Sequence, residues 1–294
     1  MSPLAPEEHP VSRHIEHRTR GRGTGPIIRL MSPSDYGTIV RPFVFLDRFT
    51  GDRTMIDRMP LHPHSGIATV TVITEGNLRF DDPDSGKGMI GYGGVEWMRA
   101  GGGVWHGKEM SAGDSEYVEG FQLWLALPPE LENGPVDSQY LEAQSMPQTG
   151  PAYVILGEYQ GVKSPVRSHE GINYLLVTLP AHSSWQYIPP ENHSSLWLSI
   201  SRGTLVSPEK IATGEMVIFA AGSQPVTLHA GDAETRFVIG SAVAHPWSLS
   251  LGNYSVHTSD AALRAGEARI NDIGRRLREE MEGQPQPTSM PIFK

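Results

Sequence analysis

Three histidines and one glutamate are the residues of this sequence whose types and spacing could do chemistry together. His62 and His64 stand one residue apart in Leu61-His62-Pro63-His64-Ser65-Gly66, ahead of an alternating run that reaches Val72. Side chains of an extended chain alternate between faces, so both imidazoles point the same way. Two imidazoles so placed can share one ion at the usual bond lengths of about 2.0–2.1 Å. On a continuous strand that face also carries Ala68, Val70 and Val72, with Thr69 and Thr71 opposite. Both histidines would then look into a barrel interior. By itself, a His-x-His pair is as compatible with surface or hydrogen-bonded histidines as with ligands.

A second segment, Gly101-Gly102-Gly103-Val104-Trp105-His106-Gly107-Lys108-Glu109, adds an imidazole and a carboxylate after a glycine bend. The chain between His64 and His106 is long enough for a hairpin and a return strand, which would lay His106 beside the first pair. Three neutral imidazoles and a carboxylate suit one divalent first-row ion; iron, manganese, nickel, copper and zinc all fit such donors. The blander readings are a core histidine bonded to a backbone carbonyl at His106 and a solvated loop residue at Glu109. The glycine run lacks the Lys-Ser/Thr and the helix that a phosphate loop needs.

The elements that must position these residues read as strands. Thirty-two glycines and 24 prolines are spread along 294 residues and punctuate many short segments, the pattern of an all-β barrel or sandwich. One strand set runs from about Ile27 to Leu127, where Pro128-Pro129 stops it. A stretch rich in Glu, Gln, Pro and Gly follows to Gly150, holding one marginal strand or turn. A second set then recurs from Tyr153 to Ser241. Two similar sets imply a duplicated barrel. The expected division is a flexible leader over 1–25, a metal-binding barrel over 26–135, a second barrel over 150–256, a helix over 257–283 and a loose tail over 284–294. Ser259 can cap the helix, and Leu263, Ile270, Ile273, Leu277 and Met281 keep one apolar stripe. Trp97, Trp105 and Trp124 are expected in the core or pocket wall, with Trp97 among the pocket residues and Trp105 turned away from His106. Phe43 and Phe45 are placed at the mouth of the first barrel. His169, His182, His193, His229 and His245 lack ligand spacing, so no metal is expected in the second barrel.

Composition narrows the function. With no cysteine, disulfides and thiolate metal sites are excluded, which fits a cytoplasmic protein. A formal charge of −9 argues against direct nucleic-acid binding. The basic stretch Arg13–Arg29 reads as part of the solvated leader. No apolar run approaches the roughly 20 residues that cross a bilayer, and neither a membrane span nor a secretory signal is expected.

The chain resembles the pirin family. The resemblance is carried by His62-Pro63-His64 with its following glycine and strand, by Val95-Glu96-Trp97-Met98 with Ala100-Gly101 and the late His106, and by Phe121-Gln122-Leu123-Trp124-Leu125-Ala126-Leu127-Pro128. Asn192-His193 and Gly252-Asn253-Tyr254-Ser255-Val256-His257-Thr258 carry it further. It spans about Arg41 to Asp272. It implies a bicupin, two cupin-type β-barrels face to face, with iron or a related ion in the first barrel alone. The ligands carried over are His62, His64, His106 and Glu109. In the family one residue stands between the last His and Glu; here Gly107 and Lys108 both intervene, so Glu109 can reach the ion only through a bulge or turn. Position 68, where many cupins carry a Glu, is Ala.

Two functions follow from the resemblance. The first is a quercetin 2,3-dioxygenase-like oxidoreductase acting on a flavonol-like aromatic substrate, with Glu109 as base. The second is a metal-dependent regulator without turnover, binding a protein partner such as a transcription factor or a metabolic enzyme.

Overall fold

The computed structural model describes residues 13–282. Strands dominate it, organised as two cupin-type barrels and a C-terminal helix. The first barrel is built on a six-stranded sheet in the order Asp137–Leu141, Val95–Arg99, Ile67–Glu75, Tyr117–Ala126, Phe43–Asp52 and Ile27–Met31. Against it lie a three-stranded sheet (Met110–Ala112, Leu78–Asp82, Gly86–Ile90) and a two-stranded ribbon (His62–His64 with Val104–His106). The second barrel has a seven-stranded sheet and a four-stranded one, packed through Val177, Leu198, Phe237, Leu205 and Leu228.

Both large sheets are buried on two faces, which explains their near-continuous apolar strands. In Ile172–Leu179, Leu175 and Val177 fill the second barrel. Tyr174 and Leu176 point the other way, into a core shared with Val70, Val72, Phe121 and Leu123 of the first barrel. Phe43 meets Trp197 edge-on across this seam at 5.3 Å. The two barrels therefore join through the backs of their large sheets.

The leader is not wholly free. Ile15–Thr19 pairs with Met216–Phe219 and forms an edge strand of the second barrel's large sheet. Arg13 is buried beside it and donates to the carbonyls of Ala220 and Ser194. Alternation of Ile15, His17 and Thr19 supplies one half-buried face, and the open edge of Met216–Phe219 supplies the hydrogen bonds. The leader's first residues, 1–12, and the tail over 284–294 lie outside the described residues.

The helix Asp260–Met281 begins where Ser259 accepts a hydrogen bond from the Ala262 amide. It buries Ile270, Ile273 and Leu277 on the first barrel. Trp105, turned away from His106, donates its indole N–H to the Ile270 carbonyl at 2.7 Å. The helix thus braces the ribbon that carries His106. Among the described residues no helix is long and apolar enough to cross a membrane.

Candidate metal centre

The ribbon sets the site. Its antiparallel register pairs His62 with His106, Pro63 with Trp105 and His64 with Val104. Directly opposed side chains project from the same face, so His62 and His106 meet and His64 stands beside them. Ring centroids lie 4.6 Å apart for His62–His106, 5.0 Å for His62–His64 and 5.2 Å for His64–His106. One nitrogen from each ring falls within 4.8 Å of the other two.

Hydrogen bonds on the outer side fix which nitrogens face inward. His62 Nδ1 lies 2.9 Å from the Pro60 carbonyl and His64 Nδ1 3.1 Å from the Tyr254 carbonyl. A carbonyl only accepts, so each Nδ1 carries the proton and each Nε2 keeps its lone pair. The Nε2 atoms of His64 and His106 are buried and have no hydrogen-bond partner. A buried polar atom left unpaired costs about 1–3 kcal/mol; two of them in one cluster fit a shared cation. Burial lowers the pKa of all three imidazoles, with His62 adding to the effect on its neighbours, and brings His64 to about 3. They are neutral at pH 7, the form that ligates.

The strand carrying His62 and His64 does not continue into Ile67–Glu75. Gly66 interrupts it at φ +76°, and a Cβ there would lie 2.0 Å from the Val256 carbonyl oxygen. The interruption reverses the face expected from simple alternation. Val70 and Val72 pack toward the second barrel, while Thr71 lines a cavity together with His62.

Glu109 stands apart from the three histidines. Gly107, at φ +123°, turns the chain so that Glu109 Oε2 accepts from the Gly107 amide at 2.8 Å. That oxygen lies 4.0 Å from His106 Nδ1, and Oε1 is buried without a partner. With two intervening residues instead of one, the carboxylate lies outside the group formed by the three imidazoles. Burial raises its pKa to about 7. Like His106, it lines neither of the two cavities that reach His62.

Those cavities meet at His62 and Gln122. One, of about 390 Å³, is lined by Arg29, Phe45, His62, His64, Gln122 and Trp124, with Tyr254 at its edge. Phe45 and Trp124 stack in parallel at 4.0 Å, Trp124 meets His64 edge-on at 4.8 Å, and the Arg29 guanidinium covers Phe45 at 3.9 Å. The other, of about 280 Å³, is largely apolar, walled by Phe49, Met55, Ile56, Met59 and Met110. Of the expected pocket residues, Phe45 lines one of these two cavities. Phe43 and Trp97 are fully buried in the seam between the barrels, because the neighbouring backbone sets them on the opposite face.

Sequence reasoning passed over Gln122 and Glu96. Each is the single polar residue in an apolar strand, a signal available in Phe121–Leu127 and Val95–Met98, since a polar side chain is buried there only with a reason. Tyr254 had no such signal, because it acts through its backbone carbonyl.

The pirin family model matches residues 28–125, the segment that contains the whole ribbon. A Vibrio cholerae protein with the provisional name quercetin 2,3-dioxygenase is 32% identical over 204 residues, covering 64% of this chain and 71% of that protein. The chain belongs to the pirin family. Two solved structures share its fold. A quercetin 2,3-dioxygenase from Acinetobacter baumannii superimposes with a TM-score of 0.72 at 24% identity, over 90% of this chain and 95% of that one. An Escherichia coli bacterial pirin in complex with nickel(II) gives 0.58 at 15% identity, over 79% and 98%. Among curated pirin relatives, the chain spans from 50% to 92% of their own lengths.

Proposed function

We propose that this pirin is a metal-dependent dioxygenase of the quercetinase type, acting on flavonol-like polyphenols in its first barrel. The observation that carries the reading is the convergence of His62, His64 and His106, with two buried partnerless Nε2 atoms, beside an aromatic-walled cavity that His62 and His64 line. The ligands we assign are these three histidines, with iron as the first candidate ion. When bound, the metal supplies Lewis acidity toward a phenolic hydroxyl and lowers its pKa.

The protein's own groups do the rest. The Nδ1 bonds to Pro60 and Tyr254 hold two imidazoles in one tautomer and one orientation. The Phe45–Trp124 pair offers a flat face on which a planar ring can stack. Gln122, at the junction of the two cavities, offers an amide donor and acceptor to a hydroxylated ring. Arg29, paired with Asp47, lines the same cavity and covers Phe45. A volume of about 390 Å³ lies within the range of about 300–1,000 Å³ usual for small-molecule sites. Glu109 supports His106 and its turn.

The test is to load the protein with iron, add quercetin under air, and follow the flavonol's visible absorbance together with carbon monoxide release. Loss of absorbance above a free-iron control, with carbon monoxide formed, is the expected result. No loss above the control with iron, manganese or nickel defeats the reading.

A further inference from the structure

Just beyond the three histidines, a second set of buried polar groups takes no part in the chemistry above. The Ser65 hydroxyl, next to His64 in the chain, lies 3.0 Å from His257 Nε2 and 2.8 Å from Ser255 Oγ. On the far side of the imidazole, His257 Nδ1 lies 3.2 Å from Glu132 Oε2, an ion-pair distance without hydrogen-bond alignment. Glu132 in turn accepts from the amide and the hydroxyl of Thr258, each at 2.6 Å. Ser65, His257 and Glu132 are 0%, 1% and 3% exposed.

Serine, histidine and glutamate in this order can form a nucleophilic triad, but a nucleophile must be reached by its substrate. Ser65 has no exposed surface and lines neither cavity at the site. The helix Asp260–Met281 closes over it: a Cβ on Gly266 would lie 2.5 Å from Ser65 Oγ and 2.6 Å from His257 Nε2. The set is therefore static.

Its place in the fold gives it a use. Four contacts tie the segment Tyr254–His257 to residues 64–66: the Tyr254 carbonyl to His64 Nδ1, Ser255 Oγ to Ser65 Oγ, the Val256 amide to the Ser65 carbonyl, and His257 to Ser65. They fall beside Gly66, where the strand carrying His64 is interrupted. We infer that Glu132, His257 and Ser65 form a positioning relay for the metal site, through which the C-terminal segment holds His64 at its ligating angle. The inference rests on the metal reading above. Outer groups that orient ligands are worth about 10–100-fold in metal affinity when removed, and buried pairs at these distances are little screened.

The experiment uses the full chain and cobalt(II) as probe. Affinity is read by competition with a chromogenic chelator, geometry by the visible cobalt spectrum, and the metal-free fold by its thermal midpoint. His257→Phe and Ser65→Ala should each weaken cobalt binding roughly 10–100-fold and alter the spectrum, while Glu132→Gln, which keeps an acceptor toward His257, should stay nearer the parent. Groups acting as one unit are not additive, so the Ser65→Ala/His257→Phe double variant should bind no more weakly than the worse single one. If His257→Phe does not fold, Ser65→Ala decides alone, since it deletes one oxygen. Parental affinity and spectrum in Ser65→Ala overturn the relay and leave the metal reading standing. A parent chain that takes up no cobalt overturns both.

Discussion

His62 and His106 are direct cross-strand partners in a two-stranded ribbon, their rings 4.6 Å apart. The register sets them opposite one another, and His64 shares their face. Replacing His106 by Ala should remove most of the bound metal, and His62→Ala should do the same. Elemental analysis of the freshly purified variants, with circular dichroism to verify folding, is the check; parental metal content in either variant would exclude it as a ligand.

Glu109 Oε2 lies 4.0 Å from His106 Nδ1, and its carboxylate lies outside the group formed by the three imidazoles. The Glu109→Gln protein should therefore retain at least half of the parental metal, with affinity lowered by about tenfold or less through loss of support for His106. Complete loss of metal would make the carboxylate a ligand after all.

The parallel stack of Phe45 and Trp124 forms the wall that would receive a flat ring. An aromatic pair contributes about 0.5–1.5 kcal/mol beyond area burial. On the proposed activity, Trp124→Ala should raise KM for quercetin by roughly 3–10-fold without changing metal content. Steady-state kinetics beside elemental analysis would show it, and an unchanged KM would remove Trp124 from the substrate wall.

Glu96 is fully buried among Thr69, Thr71 and Glu109, and burial raises its pKa from 4.5 to about 7. The folded chain holds this proton more tightly than the unfolded one. The stability it confers is complete below about pH 4.5 and is lost as pH rises through about 7, a change on the order of 3 kcal/mol. Glu96→Gln cannot ionise, so denaturant unfolding of the metal-free variant should depend less on pH between 5 and 8 than that of the parent. Equal slopes in the two proteins would contradict the raised pKa.

Phe43 sits in the seam against Trp197 and lines no cavity of the site. Phe43→Ala should cost about 3–5 kcal/mol of stability and leave KM for a flavonol unchanged. A shift in KM at unchanged stability would return Phe43 to the pocket.

Much of this was legible in the chain. Strands, barrels and the capped helix follow from turn residues, period-two patterning and the stripe of Ile270, Ile273 and Leu277, all of which are local signals. Where local parity was carried through Ser65-Gly66 it failed, because a single left-handed glycine exchanges the two faces of everything after it. Trp97 and Phe43 went to the wrong side for a related reason: a strand buried on both faces offers no polar alternation to say which face is the pocket.

The pairing of His62 with His64 was legible in the sequence alone, since two-residue spacing is a property of the chain, and His106 was a candidate by residue type that the ribbon's register brought to them. The tertiary structure decided which groups surround them. It put the Tyr254 carbonyl on His64, His257 and Glu132 behind Ser65, and an edge strand from the leader onto the second barrel. Contacts between residues far apart in the chain depend on how sheets and helix pack, and no local pattern encodes them.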